Sequence, residues 1–303
     1  GARAGSARRR QGYIYGLCPF HDAPRGALPT PMTEADLLAR TPFPATRDSL
    51  AAQLRDGGLR PGATVLVHTS LRALGWIAGG PVALIQALLD CVGSDGLVAM
   101  PAHSSDLTDP AQWQAPPVPA AWLDTLYEHM PAYDPAITPT RGMGAVAELF
   151  RTWPGAVRSL HPTCSFAAVG AGAQTLTAGH QLEDPLGETS PLAKLLRADA
   201  EILLLGVGFD VCTMLHLAEQ RAWPARPRQP EASPIIEHGR RVWKRYDQPA
   251  LLDSDHFLPV GQSLIDAGLT RRFPLGAGHG LRVSARVAVE HAVRYWQGQP
   301  APG

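Results

Sequence analysis

The sequence predicts an α/β protein, a single domain with a mixed central sheet flanked by helices, and three observations carry that expectation. Short apolar runs at Val65–Val67, Gly96–Met100, Ser165–Val169 and Ile202–Leu205 read as buried strands. Segments with helical periodicity or helix-start signals lie between them, so strand and helix alternate along the chain. Val65–Val67, the helix opened by Gly79-Gly80-Pro81 and Gly96–Met100 form one strand, helix, strand unit.

Taken in order, residues 1–31 combine Gly, Ala, Arg and Pro without periodicity and end just before Met32, and are expected to be a flexible N-terminal extension. Residues 32–303 are expected to form the domain. Thr46 is the expected N-cap of a helix running to Arg55, ended by Gly57-Gly58 and Pro61-Gly62. The helix after Gly80 carries Leu84, Leu88 and Leu89, and Pro101 closes the strand that follows it. Residues 105–140, rich in Pro, Trp, Asp and Tyr, read as an ordered excursion with one helix at Trp122–His129. Further helices are expected at Met143–Phe150, Pro191–Leu196 and Ser284–Trp296, the last with Val287, His291 and Val293 facing inward, and a further strand at Val242–Tyr246.

Composition narrows the class of function. With 303 residues, a formal net charge of +0, 45% hydrophobic and 18% charged residues, the chain has material for an ample core. Nucleic-acid binding would want a basic stripe, and the runs Arg8-Arg9-Arg10 and Arg240-Arg241 are short. No apolar run approaches the roughly 20 residues of a membrane span, and residues 1–31 lack the apolar middle of a signal peptide, so the expected compartment is the cytoplasm and no membrane partner is expected. Cys18, Cys91, Cys164 and Cys212 are far apart without paired spacing, which suggests neither a disulfide framework nor a metal site.

The segment from Leu203 to Glu219 concentrates the chemistry. A buried strand runs into Gly206-Val-Gly208, where glycines permit a tight turn, and then into a helix start bearing His216 and Glu219. Spaced three apart, the two share a helix face. A neutral imidazole suits removal of a proton near pH 7, and a carboxylate can orient its second nitrogen. The plainer reading is a core histidine beside a solvated glutamate. His68-Thr-Ser-Leu-Arg72, directly after a strand, offers hydroxyls, backbone amides and a guanidinium able to hold phosphates, or is an ordinary capped helix start. Arg158–Phe166, with His161 before a proline, is a binding corner or a structural bend. Glu183, Asp184, Glu188, Asp247, Asp253 and Asp255 lie in loop-like stretches; converging on one cleft, with Asp106, they would attract a polycation. No G-x-S-x-G occurs, and Gly206-Val-Gly208 lacks the third glycine of a dinucleotide site.

Several blocks in order carry a resemblance: His68-Thr-Ser-Leu71, Gly79-Gly80, Gly96 with Met100-Pro101, Asp134-Pro135, Arg141-Gly-Met-Gly144, Arg158-Ser-Leu-His161-Pro162, Ser190-Pro191, Leu204-Leu-Gly206 and Thr213-Met-Leu-His216-Leu-Ala-Glu219. From about Thr46 to the last helix the chain resembles the aminoglycoside 3-N-acetyltransferase family. The resemblance implies that family's own α/β fold, not the GNAT fold. It also implies transfer of acetyl from acetyl-CoA to the 3-amino group of the 2-deoxystreptamine ring in a ternary complex, without a metal, by a monomer or homodimer.

By position, it makes His216 the general base, Asp247 its supporting carboxylate with Asp253 as fallback, and Thr213 a donor to the thioester carbonyl. His68, Thr69, Ser70, Leu71 and Arg72 would hold CoA, and Asp106, Asp184 and Glu219 would meet ammonium groups of the drug. Two departures stand out: Cys212 occupies a place where many relatives have Asn, and residues 105–140 differ greatly among relatives. Two other expectations fit the same residues, acyl transfer to a different small amine and non-catalytic binding of CoA or antibiotic.

Overall fold

The computed structural model describes residues 33–114 and 116–301, so the expected extension at 1–31, with Cys18, lies outside the described residues. The strands are β1 (Thr64–Thr69), β2 (Leu97–Pro101), β3 (Val157–Arg158), β4 (Phe166–Gly170), β5 (Glu201–Leu205), β6 (Arg228–Glu237), β7 (Arg240–Pro249), β8 (Arg271–Leu275) and β9 (Gly278–Ser284). The helices are α1 (Glu34–Arg40), α2 (Arg47–Asp56), α3 (Gly80–Val92), α4 (Leu123–His129), α5 (Gly144–Phe150), α6 (Ala173–Thr177), α7 (Pro191–Arg197), α8 (Met214–Ala222), α9 (Phe257–Asp266) and α10 (Ala285–Trp296).

Seven strands form one sheet in the order β3-β4-β2-β1-β5-β9-β8, and β6 pairs with β7 as a separate hairpin. The sheet is mixed, as expected. β1 runs parallel to β2 and to β5, whereas the β2–β4, β3–β4, β5–β9 and β8–β9 pairs are antiparallel.

Side-chain alternation along the central strands divides the core into two layers. Leu66, Ile202 and Leu204 pack with residues of α7 to α10, such as Leu195, Leu217, Leu264 and Val289. Val65, Val67, Leu203 and Leu205 pack on the opposite face with Leu50 of α2, Leu84 and Leu88 of α3 and Phe150 of α5. Because both faces are covered, each central strand reads as a continuous apolar run, which is why these strands were legible. His68 follows Leu66 by two residues, so the pleat turns it toward the layer that contains α8.

Local chemistry sets the element ends. Thr46 accepts a hydrogen bond from Ser49 N while Ser49 Oγ accepts from Thr46 N, a reciprocal cap for α2. Ser190 caps α7, with Pro191 in its first turn. The expected helix in 105–140 is present as α4, preceded by a turn of 3-10 helix at Ala120–Trp122.

Several elements were not anticipated. α1, α6, α9, β3, β8 and β9 have no counterpart in the sequence reading, and Val242–Tyr246 proves to be the middle of β7. Its partner β6 contains Pro230 and Pro234, which demote a strand by pattern but are tolerated in a two-stranded hairpin. α10 also sits rotated from expectation. Its buried face is Ala285, Ala288, Val289, Ala292 and Trp296, with Val287, His291 and Val293 at the flanks, because alanines allow α10 to pack closely on α8.

Candidate active site

The glycine turn after β5 positions the candidate catalytic helix. Gly206 has φ +71, and a Cβ there would lie 2.9 Å from both Ala73 Cβ and Ser70 O. Only glycine fits that conformation and that approach. Gly208, by contrast, is extended. A 3-10 turn at Phe209–Val211 then leads through Cys212 and Thr213 into α8, whose first two turns, Met214 to Glu219, are entirely buried.

His216 and Glu219 touch, as their spacing allows. His216 Nδ1 lies 2.6 Å from Glu219 Oε2, and the two side chains are 2% and 1% exposed. The carboxylate accepts the Nδ1 proton, so Nε2 is the unprotonated nitrogen. Two more side chains, Arg226 and His256, converge on Glu219. Arg226 Nη1 is 3.6 Å from Oε2, and His256 Nε2 is 2.5 Å from Oε1 but poorly aligned for a hydrogen bond. Burial alone would raise the Glu219 pKa, but His216 and His256 outweigh it and hold the carboxyl below its ordinary range.

His256 reaches this place through a local cap. Asp253 Oδ1 accepts from Asp255 N and starts the 3-10 turn Ser254–His256 that runs into α9. His256 and the following Phe257 stack edge-on with ring centroids 4.8 Å apart, and Phe257 packs on His216 at the same spacing.

His216 Nε2, Thr213 Oγ1 and His68 Nε2 are buried here without a hydrogen-bond partner among the described residues. Such atoms are costly to bury unless they find a partner. His68 lines a recess of about 90 Å³ with Thr69, Val67, Met100, Pro101, Gly142, Met143, Ala147, Val207 and Val211. Burial, then the proximity of His216, lower the His68 pKa to about 3, so it stays a neutral imidazole. The recess is mostly apolar with a polar edge at His68 and Thr69. Among the described residues no group of three or more His, Cys, Asp or Glu is arranged to hold a metal ion, and no helix is long and apolar enough to cross a membrane.

The sequence-derived residues fall into place unevenly. His68 and Thr69 line the recess, Ser70 and Leu71 follow at its side half-buried, and Arg72 is exposed. Asp106 is half-buried with Oδ1 unpartnered. Asp184 spends one oxygen closing its own loop, accepting from Thr189 N at 2.8 Å and Thr189 Oγ1 at 3.0 Å. Two assignments require correction. Asp247 does not support His216: it is exposed on β7, paired in register with Pro230, and Asp253 is exposed and used as the cap of the Ser254–His256 turn. Glu219 is the carboxylate on His216, and with 0% exposure it is enclosed by His216, Arg226 and His256 and not presented to a drug.

The Arg158–Phe166 segment is a structural bend. His161 Nδ1 accepts from Cys164 N at 3.1 Å, and Arg158 donates to Ala102 O, Ser104 Oγ and Ser165 Oγ. Cys212 lies in the core with its thiol pKa pushed up to about 12 by burial, so it packs and does not react. Cys91 and Cys164 are also buried in the core. Sequence reasoning missed Arg226 and His256. The only available signal was the Asp253-Ser-Asp255 cap directly before His256.

A family profile described as aminoglycoside 3-N-acetyltransferase matches residues 66–297. The SPbeta prophage-derived aminoglycoside N(3')-acetyltransferase-like protein YokD of Bacillus subtilis is 46% identical over 75% of this chain and 83% of its own length. Its crystal structure superposes with a TM-score of 0.85, covering 89% of this chain and 99% of that one at 40% identity. Aminoglycoside N(3)-acetyltransferase VII of Streptomyces paromomycinus is 37% identical over 88% of this chain and 96% of its own. A structure described as AAC-IIIb binary with CoASH has a TM-score of 0.75 at 33% identity, covering 86% of this chain and all (100%) of that one. The chain belongs to the aminoglycoside 3-N-acetyltransferase family and is an enzyme of the acyltransferase class.

Proposed function

We propose that the protein transfers the acetyl group of acetyl-CoA to the 3-amino group of the 2-deoxystreptamine ring of an aminoglycoside, by direct attack within a ternary complex. The observation that carries this reading is the carboxylate-held His216, whose Nε2 is buried with a free lone pair and no protein partner. A protonated amine is not a nucleophile, so a base must remove its proton before attack. His216 Nε2 takes that proton, and Glu219 stabilises the imidazolium that results.

The neutral amine attacks the thioester carbonyl carbon, and the carbonyl oxygen gains charge as the tetrahedral adduct forms. Thr213 Oγ, buried and unpartnered, donates to that oxygen. Collapse breaks the C–S bond, the departing thiolate recovers the proton held by His216, and the adduct nitrogen releases its second proton to solvent, leaving the neutral amide and free CoA thiol. His68 and Thr69 hold the acyl and pantetheine end, and Ser70, Leu71 and exposed Arg72 face the pyrophosphate. Asp106, with its unpartnered oxygen, is the member of the original acidic set best placed for a drug ammonium. Drawing on acetyl-CoA places the reaction in the cytoplasm, and the loss of one positive charge weakens the drug's attraction to RNA and so confers resistance.

Purified protein mixed with acetyl-CoA and a panel of 4,5- and 4,6-disubstituted aminoglycosides tests the reading by release of free thiol. Drug-dependent thiol release, with the acetylated position read by NMR as N3, is the expected result. Release with other small amines but with no drug would replace the acceptor, and binding of drug without any release would make the protein a binder.

A further inference from the structure

Glu219 has two carboxylate oxygens, and the proposed base uses one of them. Oε2 takes the Nδ1 proton of His216 at 2.6 Å, with Arg226 Nη1 behind it at 3.6 Å. Oε1 is just as deeply buried, and among the described residues it receives no aligned hydrogen bond. The group that reaches it is His256, whose Nε2 stands 2.5 Å away.

A bare ring nitrogen and a carboxylate oxygen repel at that distance, because lone pair faces lone pair, so Nε2 is the nitrogen that carries the His256 proton. Its N–H is out of line with Oε1, and contacts of this kind commonly tighten only when the site is loaded. The ring is held in place by aromatic neighbours. Its centroid lies 4.8 Å from that of Phe257, 5.3 Å from Trp296 and 6.0 Å from Trp223. Its side chain is 17% exposed where that of Glu219 is 1% exposed, so His256 brings the surface to the back of the buried pair.

We infer that His256 is a positioning residue for the acetyl transfer: its Nε2–H on Oε1 orients the Glu219 carboxylate and shares its charge, and so limits how strongly Glu219 holds the protonated form of His216. A carboxylate divided between two N–H donors is a weaker partner for an imidazolium than one that serves a single donor. The inference rests on His216 as the proposed base and adds the residue that tunes it.

The surroundings agree with the geometry. His256 is faced by Glu219 and, through it, His216 from α8, and by Arg226 just beyond that helix. Asp210 belongs to the 3-10 turn Phe209–Val211, which packs against the Ser254–His256 turn, and Asp253 and Asp255 flank His256 in its own turn. α9 and α10 present Phe257 and Trp296, which carry no charge. Interactions with His216 and then His256 hold the Glu219 carboxyl below its ordinary range in spite of burial, as donors on both oxygens would.

The test is His256→Phe, which keeps an aromatic ring among Phe257, Trp223 and Trp296 and removes the N–H. With Oε1 lacking its donor, Glu219 stabilises the His216 imidazolium more, so the acid limb of kcat/KM should move to higher pH by about 0.5–1 unit. His256→Gln, whose amide N–H can reach Oε1, should bring the limb back to within about 0.3 unit of wild type. A residue that only packs would change stability and leave the limb in place. An unmoved limb in a folded His256→Phe enzyme therefore overturns the inference. Should that variant not fold, 15N-histidine NMR of the wild type at pH 8 decides: Nε2 of His256 must carry the proton, and a bare Nε2 overturns it. The same spectra keep the two readings apart. If no aminoglycoside is acetylated, an upward shift of the His216 titration in His256→Phe still shows the coupling. Acetylation that continues with the limb and the His216 titration unchanged keeps the reaction and removes His256 from this role.

Discussion

Glu219 Oε2 lies 2.6 Å from His216 Nδ1 inside the first two turns of α8, and both side chains are almost wholly shielded from solvent. A negative charge in that position is sustained by Arg226 and His256, which approach the same carboxylate from outside the helix. The arrangement fixes the imidazole tautomer and leaves Nε2 free to accept a proton. It also makes the base depend on residues about ten and forty positions further along the chain.

Replacing His216 with Ala removes the proposed base and nothing that lines the acyl recess. Turnover is expected to fall about 10²- to 10⁴-fold, with CoA affinity within about threefold of wild type by calorimetry. Retention of more than a tenth of the rate would remove His216 from that role.

Glu219 carries both rate and stability. Glu219→Ala leaves the buried Arg226 without its counter-charge and His216 Nδ1 without its acceptor, and breaking a buried ion pair in this way costs about 3–5 kcal/mol, to be read by urea unfolding. Glu219→Gln keeps the shape and loses the charge, so it should unfold less readily than the Ala variant and still lose about tenfold or more in kcat. The comparison with Asp247→Asn is direct. Asp247 makes no contact with His216, so the pH limb of kcat/KM set by the base should move in Glu219→Gln and stay in place in Asp247→Asn.

Glu231 predicts a pH dependence of stability opposite in sign to that of most carboxylates. Its folded pKa, raised by burial to about 7, stands above the ordinary glutamate value of 4.5, so between those values the folded state holds a proton that the unfolded state has lost. Its contribution is fully present below about pH 4.5 and is lost as pH rises through 7, up to about 3 kcal/mol across the window. Chemical denaturation of wild type and Glu231→Gln at pH 5.5 and pH 8 should show the wild type losing ground at the higher pH. Equal pH responses would contradict the buried carboxyl.

Gly206→Ala tests the turn that carries α8. The change forces an L-residue into φ +71 and places a methyl 2.9 Å from Ser70 O, so it should cost about 2 kcal/mol or more. Since Ser70 adjoins the acyl recess, the melting temperature and acetyl-CoA affinity should fall together. A lowered melting temperature with unchanged acetyl-CoA affinity would confine the effect to stability.

The sheet was legible because its central strands are buried on both faces, and continuous apolar runs such as Ile202–Leu205 have no other use. The hairpin was not. β6 holds Pro230, Glu231 and Pro234, residues that speak against a strand unless a single partner strand supplies all its pairing. α10 was found but turned, because alanine marks close packing only when the neighbouring helix is known. Gly206 was read as a turn residue from the sequence, and its φ agrees, whereas Gly208 is extended and is glycine for no conformational need of its own.

By itself the sequence determined the alternation of strands and helices, the glycine turn, and the placement of His216 and Glu219 on one helix face, because periodicities of two and three to four residues are local properties of the chain. Tertiary structure alone decided what those residues touch. It brought Arg226 and His256 onto Glu219, left Asp247 on an exposed hairpin, and set Glu231 beside Asp109 from 122 positions away. A carboxylate's role depends on its burial and on which charges face it, and neither is written in the spacing of its own segment.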